Sequence, residues 1–223
     1  MPNLQTDDEI LRSIIDKSVI SIESNSITRV GNMKFQYCNN LVSADFPNME
    51  SIEGDAFNNS TLQTAFFPKG RTYASYNFGN NSVITSAVIG GFSSPGSSAN
   101  SYTFYGCSNL AIVDVGTLGR GSIGTGTFTN CAKLKTIILR STTRLSLDNT
   151  NAFNNTPFKS GGTGGTIYIP KALYDHLGDG TSSDYRAASN WSTLNGYGTI
   201  TWAQIEGSTY ETHYGNGELI PTS

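Results

Sequence analysis

Residues 104–110 read Phe-Tyr-Gly-Cys-Ser-Asn-Leu, and the pattern returns at residues 128–134 as Phe-Thr-Asn-Cys-Ala-Lys-Leu. A third copy, Phe-Gln-Tyr-Cys-Asn-Asn-Leu, occupies residues 35–41. Three degenerate copies, in which serine, asparagine or threonine replaces the cysteine, begin at Phe57, Phe78 and Phe153. Successive phenylalanines are separated by 22, 21, 26, 24 and 25 residues. A period this regular predicts a solenoid of short coils, because each coil buries its apolar side only against its neighbours.

A short apolar segment follows each copy. In residues 134–140 the first, fourth and sixth positions are Leu134, Ile137 and Leu139, and the other copies place small or apolar residues there too. The fourth and sixth residues face the same way on a strand, since side chains alternate with a period of two. Each coil is therefore predicted to contribute one short strand, stacked in parallel on the next at about 4.8 Å. The phenylalanines predicted to form the repeat core are Phe35, Phe57, Phe78, Phe104, Phe128 and Phe153.

The segment that returns to each phenylalanine carries a second apolar anchor. Val30, Ile52 and Ile123 each precede their phenylalanine by five residues. This spacing is typical of an irregular loop that closes a coil, and it lacks the period of a helix. The return segment before Phe78 departs from the pattern, so a break or bulge is expected at that coil.

The combined pattern Ile-x-x-x-Ala-Phe-x-x-Cys-x-x-Leu-x-x-Ile-x-Leu-Pro resembles the BspA-like leucine-rich repeat of bacterial surface proteins and of phages of gut bacteria. The resemblance covers about residues 18–205. It implies a β-rich solenoid with stacked short parallel strands, irregular return loops, a short N-terminal helix and an α/β C-terminal cap. The cap would combine a strand at 167–170, a helical stretch at 185–192 and a final segment at 200–207. Family members mostly act in adhesion and recognition, which implies such a function here by analogy.

The repeat array and its ends account for nearly all of the 223 residues as one unit. An N-terminal capping or docking helix is predicted at residues 1–17, and a solenoid of about six coils at residues 18–160. A C-terminal cap with a polar tail is predicted at residues 161–223.

Composition limits the class of partner. Charged residues make up 14% of the chain, against about 25% in ordinary soluble domains. The net charge of -3 argues against nucleic acid, which is held mainly by lysine and arginine on phosphates. A weakly charged surface rich in hydroxyls and amides is typical of proteins exposed outside cells or on particles.

The N-terminus indicates how the chain reaches its place of action. Residues 6–9, Thr-Asp-Asp-Glu, form a capping box. The amphipathic stripe that follows consists of Ile10, Leu11, Ile14 and Ile15. This helix either caps the solenoid or docks the chain onto a larger assembly. Since neither a secretory signal nor a membrane-spanning stretch is recognisable, we expect a phage or prophage virion protein, with the bacterial surface or the extracellular space as the alternative location.

The cysteines occupy one repeat position. Cys38, Cys107 and Cys131 should therefore lie in a single column inside the solenoid. Serine, asparagine and threonine at the same position in the other copies indicate that a small side chain is sufficient there. Structural free thiols are predicted, while a bridge between Cys107 and Cys131, or a metal site, is the alternative.

Residues that could carry catalysis are few. His176 and His213 lie in a predicted cap helix and a polar tail, without a motif that suggests a nucleophile. The Gly-x-Gly-x-x-Gly at residues 119–124 leads into the next repeat and not into a helix, which argues against a nucleotide site. Carboxylates around residues 175–184 do not have the spacing of a calcium loop. No enzyme, cofactor or metal site is therefore predicted.

Outward-facing strand positions are the first candidate for a binding surface. The predicted contact surface consists of Asp45, Phe66, Val88, Asp114, Ile138 and Tyr168. Contiguous exposed apolar groups usually mark a contact surface, although a neighbouring subunit or the chain's own loops could cover this face instead. Tyrosines beside asparagine-rich loops offer aromatic faces and amides that suit glycans, and they are Tyr73, Tyr76, Tyr102 and Tyr105.

Two functions of different classes remain open. The first is recognition, by a tail-fibre or surface-exposed virion module that binds a host cell-surface glycan or protein. The second is structural, as a decoration or assembly protein of the virion. The predicted partners are other virion proteins or further copies of the chain, and the host ligand. Nucleic acid and membrane insertion are not expected.

Overall fold

A computed structural model describes residues 18–92, 100–118 and 121–212. Its strands are β1 (Ser21–Glu23), β2 (Arg29–Val30), β3 (Ser43–Asp45), β4 (Ser51–Ile52), β5 (Thr64–Phe67), β6 (Thr72–Tyr73), β7 (Ser86–Ile89), β8 (Ile112–Val115), β9 (Ser122–Ile123), β10 (Thr136–Leu139), β11 (Ser146–Leu147), β12 (Gly165–Ile169) and β13 (Ile200–Gln204). Its helices are a 3-10 turn (Thr150–Phe153), α1 (Lys171–Tyr174) and α2 (Ser189–Asn195).

One parallel sheet runs along the solenoid. Strands β5, β7, β8, β10, β12 and β13 pair in that order, and β1 pairs with β3 in a separate parallel pair. The register aligns the fourth residue of successive strand segments, which are Ala65, Ala87, Val113, Ile137 and Ile167. All of these side chains are fully buried. The predicted stack of short parallel strands is confirmed.

The return segments form a second ladder and are not wholly irregular. Strands β2, β4 and β6 pair in parallel, as do β9 and β11. The inward side chains Val30, Ile52 and Tyr73 stack in this ladder and are buried. The expectation of irregular loops was therefore wrong for these segments. Two residues per strand are too few for a period-two pattern to be visible in the sequence.

The break expected at the coil of Phe78 does not occur in the main sheet. Strand β7 of that coil pairs with β5 on one side and β8 on the other. The return ladder is interrupted at this coil, however, because β6 is the last strand of the sheet β2-β4-β6 and the next return strand, β9, pairs with β11 in a separate sheet. The main sheet is interrupted between β3 and β5. Backbone contact continues there, because the N–H of Gln63 donates to the carbonyl of Val42 at 3.1 Å.

The turn around each phenylalanine is bonded directly to the next coil. The N–H of Phe104, for example, donates to the carbonyl of Thr127 at 2.9 Å. The N–H groups two residues before and two residues after Phe104 also donate to that coil. Both flanking residues have a left-handed backbone, with φ of 56° at Tyr102 and 74° at Gly106. The alternating turn thus satisfies polar backbone groups that burial would otherwise leave unpaired.

The six phenylalanines form a continuous aromatic column. The rings of Phe78 and Phe104 are stacked with their centroids 5.1 Å apart, and those of Phe104 and Phe128 are 5.9 Å apart. Every member of the column is fully buried: Phe35, Phe57, Phe78, Phe104, Phe128 and Phe153. The side chains predicted for the repeat core therefore lie in it.

The C-terminal region closes one end of the core with aromatic side chains. Trp191 packs against Phe153 and against Tyr185, and its Nε1 donates to the carbonyl of Leu145 at 2.8 Å. The helix expected at residues 185–192 begins later, as Ser189–Asn195. His176 lies beyond the end of α1 and not in a helix, contrary to the prediction.

Candidate functional site

Three positions of each turn lie outside the phenylalanine column, namely the second residue before and the first and second residues after each phenylalanine. Together they line one edge of the solenoid, called here the turn edge, in which Asn58, Gly79 and Gly126 are buried and the other residues are partly or fully exposed. Its residues are Met33, Gln36, Tyr37, Asp55, Asn58, Asn59, Tyr76, Gly79, Asn80, Tyr102, Tyr105, Gly106, Gly126, Thr129, Asn130, Asn151, Asn154 and Asn155.

Three tyrosines form a cluster in the middle of the turn edge. Tyr76 and Tyr102 are stacked with centroids 4.7 Å apart and planes inclined by 5°. Tyr105 lies 5.7 Å from the first ring and 5.9 Å from the second, nearly perpendicular to both. All three remain partly exposed. A Cβ on Gly126 would lie 2.4 Å from the Tyr102 ring, so the glycine of the next coil is what makes room for the stack.

The backbone of this cluster is strained for residues that carry a side chain. The φ angles of Tyr76 and Tyr102 are 60° and 56°. Non-glycine residues occupy this left-handed region at a cost on the order of 1–3 kcal/mol. The equivalent residues of three other coils are also left-handed, with φ of 56° at Met33, 56° at Asp55 and 68° at Gly126, so this backbone belongs to the repeat and accepts several residue types. The fold therefore does not require tyrosine here, and what distinguishes Tyr76 and Tyr102 from the equivalent residues is their stacked, partly exposed rings.

Amide side chains flank the tyrosines. Asn59 Nδ2 donates to Asn58 Oδ1 at 2.6 Å, and Asn155 Nδ2 donates to Asn130 Oδ1 at 2.7 Å. Asn58 also donates to the carboxylate of Asp55. Asp55 is the only charged side chain of the turn edge. The surface consequently presents hydroxyls, amides and aromatic rings, with almost no charge.

The phenol of Tyr76 stays neutral in this setting. Desolvation by its neighbours, followed by the electrostatic influence of Tyr102, Tyr105 and Asp55, raises its pKa above the ordinary value. The cluster therefore presents its phenol hydroxyl as a hydrogen-bond donor as well as an acceptor at physiological pH.

Tyr73 does not belong to this surface, although the sequence placed it there. Its ring is fully buried against Phe78 and Phe92, and desolvation raises its pKa well above the ordinary value. It occupies the inward position of β6, where other coils carry an aliphatic residue. The prediction of an edge position for Tyr73 was therefore wrong.

The outward strand residues do form a row, but the chain covers most of it. Phe66, Val88, Asp114, Ile138 and Tyr168 are aligned by the strand register. Asp45 is exposed and lies apart, on β3. Within the row, Val88, Asp114 and Ile138 are buried, whereas the first and last residues are partly buried. An open contact face at these three positions is therefore not what the structure shows.

The cover comes from the segment after β13, residues 205–212, called here the strap. Ile205 and Tyr210 pack with Ile138 in one apolar cluster, and the Tyr210 ring meets Tyr168 edge-on at 4.8 Å. In the middle of the sheet, the outward face is therefore covered by the chain itself, which was the alternative to an open contact surface. No pattern in the sequence assigned the strap to this face.

A buried ion pair lies beside the strap. Arg140 Nε and Nη2 donate to the two carboxylate oxygens of Asp114 at 2.8 to 3.0 Å. The Nη2 also donates to the carbonyl of Thr212 at 3.1 Å. The exposed fractions of the two side chains are 7% and 0%. The carboxylate of Asp114, which was predicted to lie on the contact surface, is therefore paired with Arg140 of the same chain.

The remaining titratable side chains do not converge on one site. Asp179 accepts from the N–H of Thr181 and pairs with His176, and Asp184 accepts from the N–H groups of Gly180 and Arg186. Among the residues that the structure describes, no group of three His, Cys, Asp or Glu side chains is placed to hold a metal ion. The predicted docking helix with Ile10, Leu11, Ile14 and Ile15 lies outside the described residues, and so does His213.

Comparison with known proteins identifies the repeat. The model of BspA-type leucine-rich repeat regions matches in six copies, at residues 14–116 and 90–173. The chain belongs to this repeat family. Repeats of this type indicate a protein-interaction or adhesion module, and solenoids of the family are in general non-enzymatic.

The solved structures include a leucine-rich repeat protein from Bacteroides ovatus, with a TM-score of 0.40 and 14% sequence identity. The match covers 83% of this chain and 54% of that protein, so the chain spans about half of its length. No curated protein matches the chain. Across residues 18–92, 100–118 and 121–212, no helix has the length and apolar character needed to cross a membrane.

Proposed function

We propose that this chain is a non-enzymatic recognition module that binds a cell-surface glycan or protein through the tyrosine cluster of the turn edge. The observation that carries the proposal is the cluster of Tyr76, Tyr102 and Tyr105, whose rings are partly exposed and pack on one another at positions where the repeat also accepts other residue types. Side chains kept in strained, partly exposed positions point to contact with a ligand. The outward row of the sheet is a weaker candidate, since the strap buries much of it.

Two substitutions separate binding from folding. Tyr102→Gly removes a ring and also relieves the left-handed strain, because glycine fits the equivalent position at residue 126. Tyr76→Asn acts similarly, since asparagine tolerates this region. Each variant loses stacking worth about 0.5–1.5 kcal/mol and gains back a comparable amount of strain energy. Their stability should therefore stay within about 1 kcal/mol of the parent.

The test is saturable binding of the labelled chain to intact candidate host bacteria. Binding should weaken in the Tyr76→Asn, Tyr102→Gly double variant. Tyr37→Asn is the matched control, because Tyr37 lies on the same edge with φ of 59° but belongs to a coil outside the cluster. Equal binding by the parent and the double variant would place recognition elsewhere on the molecule.

We propose further that the chain acts as part of a virus particle, whose host is a bacterium. This placement agrees with the weakly charged, amide-rich composition. Mass spectrometry of particles purified from the source should then detect the chain at a constant ratio to the main particle proteins. Its absence from purified particles would leave the bacterial surface as the location.

A structural role in such a particle is the second candidate, favoured by an exposed apolar pair near the first coil. Ile20 and Val42 are 64% and 39% exposed, and the N–H of Val42 donates to the carbonyl of Ile20 at 2.7 Å. Adjacent aliphatic groups of this kind suit contact with another particle subunit or another copy of the chain. Ile20→Ser should then reduce incorporation into particles without weakening binding to cells.

A further inference from the structure

The charge of the turn edge restricts the ligands that it can hold. Asp55 is its only ionised side chain, and neither lysine nor arginine is among its residues. Phosphate, sulfate and carboxylate groups are bound mainly by such cations or by clusters of oriented N–H groups. Here most N–H groups of the turns already donate to the backbone, as that of Asn80 does to the carbonyl of Tyr105 at 2.6 Å. An anionic ligand therefore has no counter-charge at this surface.

The arrangement of the rings also argues against a cationic ligand. An aromatic cage holds an ammonium group over ring faces that converge on it. The facing sides of Tyr76 and Tyr102 are closed by their own contact, with centroids 4.7 Å apart. No space remains between those two rings for a cation.

A protein ligand fits the surface less well than its amides suggest. Protein interfaces concentrate their energy in aromatic or arginine anchors that fill pockets, with methionine also enriched in their cores. Met33 is the only side chain of the turn edge that is neither polar nor aromatic, and it belongs to the first coil, away from the cluster. Tyrosine is common in protein hot spots, but in this cluster neither an arginine nor an aliphatic anchor accompanies it.

The groups that remain are an aromatic face beside amides. Tyr105 is almost equidistant from Tyr76 and Tyr102 and its plane is steeply inclined to both, so neither of those rings is stacked on a face of Tyr105. The face of Tyr105 that neither ring covers is called here its outer face. Asn80 and Asn130 carry exposed or partly exposed amides in the coils before and after it. An amide both donates and accepts hydrogen bonds, as does a pair of neighbouring sugar hydroxyls.

We infer that the turn edge binds an uncharged glycan, with one sugar ring on the outer face of Tyr105 and its hydroxyls on Asn80 and Asn130. The inference rests on the proposed function and specifies the ligand class of the same site. Pyranose rings present a C–H face and a hydroxyl rim, which match the ring and the amides respectively. Asparagine stands at the position of Asn80 in four of the six coils, and Gly106 occupies it in the coil of Tyr105, so a chain of sugars lying along the solenoid would meet amides on both sides of the cluster.

The experiment is binding of the purified chain to an array of neutral glycans, sialylated glycans and sulfated glycans. We expect binding to at least one neutral glycan, and competition by the same glycan in solution. Tyr105→Ala and Asn80→Ala should each weaken that binding about tenfold or more, which corresponds to about 1.4 kcal/mol. Tyr37→Asn should leave the affinity within about twofold. The melting temperature of each variant shows whether it is folded.

Three results would overturn the inference. They are binding confined to acidic glycans, the absence of binding to any neutral glycan, and neutral-glycan binding that Tyr105→Ala leaves unchanged in a folded variant. Cell binding that survives periodate oxidation, is destroyed by protease and still depends on the tyrosine cluster would identify a protein ligand. That outcome would overturn the glycan inference but preserve the proposed recognition function. Cell binding independent of the cluster would overturn both.

Discussion

At the residue scale, the cysteine position shows how one small side chain serves the stacking of coils. The Sγ of Cys107 donates to the carbonyl of Phe78 in the preceding coil at 3.0 Å. Thr156, at the same position of the last coil, donates instead to the carbonyl of its own Phe153 at 2.8 Å. In both coils, the buried thiol or hydroxyl therefore donates a hydrogen bond to a backbone carbonyl oxygen. The position therefore selects for size and for one donor, which explains why the copies exchange cysteine for serine, threonine or asparagine.

The first prediction concerns the reactivity of these thiols. Desolvation raises the pKa of Cys107 to about 12 and that of Cys131 well above its ordinary value. Because the thiolate is the reactive form, both thiols should react with a disulfide reagent at pH 8 at least about a hundredfold more slowly in the native than in the urea-unfolded protein. The Cys38→Ser background restricts the measurement to these two thiols. Two thiols that appear only after reduction would instead indicate a bridge, although both cysteines are free in the structure.

At the element scale, the turn was the least predictable part of the repeat. Its phenylalanine and small residue were evident from their period, but the left-handed positions on either side were not recognised. Asparagine or glycine stands two residues after the phenylalanine in five of six copies, and this is the signal that indicates such a backbone. The tyrosines two residues before the phenylalanine are not of a residue type that favours a left-handed backbone. Methionine, aspartate and glycine stand at the same left-handed position in other coils, so no residue preference in the sequence marks it.

The aromatic column yields the second prediction. Phe104 stacks between Phe78 and Phe128, so truncation opens a cavity that neighbouring coils cannot fill without shifting their hydrogen-bonded turns. Phe104→Ala should lower the free energy of unfolding by about 3–5 kcal/mol, measured by urea denaturation. The matched variant Phe104→Leu keeps most of the volume and should cost clearly less. A loss below about 1 kcal/mol for the alanine variant would show that the coils collapse readily around the gap.

The buried pair of Asp114 and Arg140 supplies the third prediction. Asp114→Leu leaves a guanidinium group buried without its carboxylate, which should destabilise the protein by about 3–5 kcal/mol. The double variant Asp114→Leu, Arg140→Leu removes both charges and should recover most of this loss. Urea denaturation of the two single variants and the double variant gives the coupling energy. Additive losses would mean that the two charges do not depend on each other, against their bidentate geometry.

At the scale of the whole molecule, local periodicity predicted the solenoid but not what covers it. A period of two identified the outward row of the sheet, and the register brings its residues into line. The cover depends on the path of residues 205–212, which return across strands far from them in the sequence. The sequence of the strap is not a copy of the repeat, so the period of the coils gives no information about where it packs. Long-range packing of this kind cannot be inferred from a pattern that only describes neighbours.

The last prediction follows from groups spread over the whole solenoid, whose burial makes stability depend on alkaline pH. Cys107, Cys131, Tyr73 and Tyr185 all have a pKa raised by desolvation. Each group keeps its proton in the folded protein at a pH where the unfolded chain has already lost it. The unfolded state then binds fewer protons, so the free energy of unfolding falls as the pH rises.

The pH window of this effect follows from the same shifts. The contribution of Cys107 is intact below its ordinary pKa of 9.0 and is lost as the pH rises toward about 12, with the tyrosines adding to the fall above their ordinary value of 10.0. Urea denaturation from about pH 7 to pH 11 should show a plateau and then a steepening loss. Cys107→Ser with Cys131→Ser is the control, because serine does not titrate here and the equivalent Ser60 shows that it fits. In the control, the free energy of unfolding should begin to fall only at the higher pH where the tyrosines titrate. Identical curves for the two proteins would mean that the thiols are not desolvated in solution.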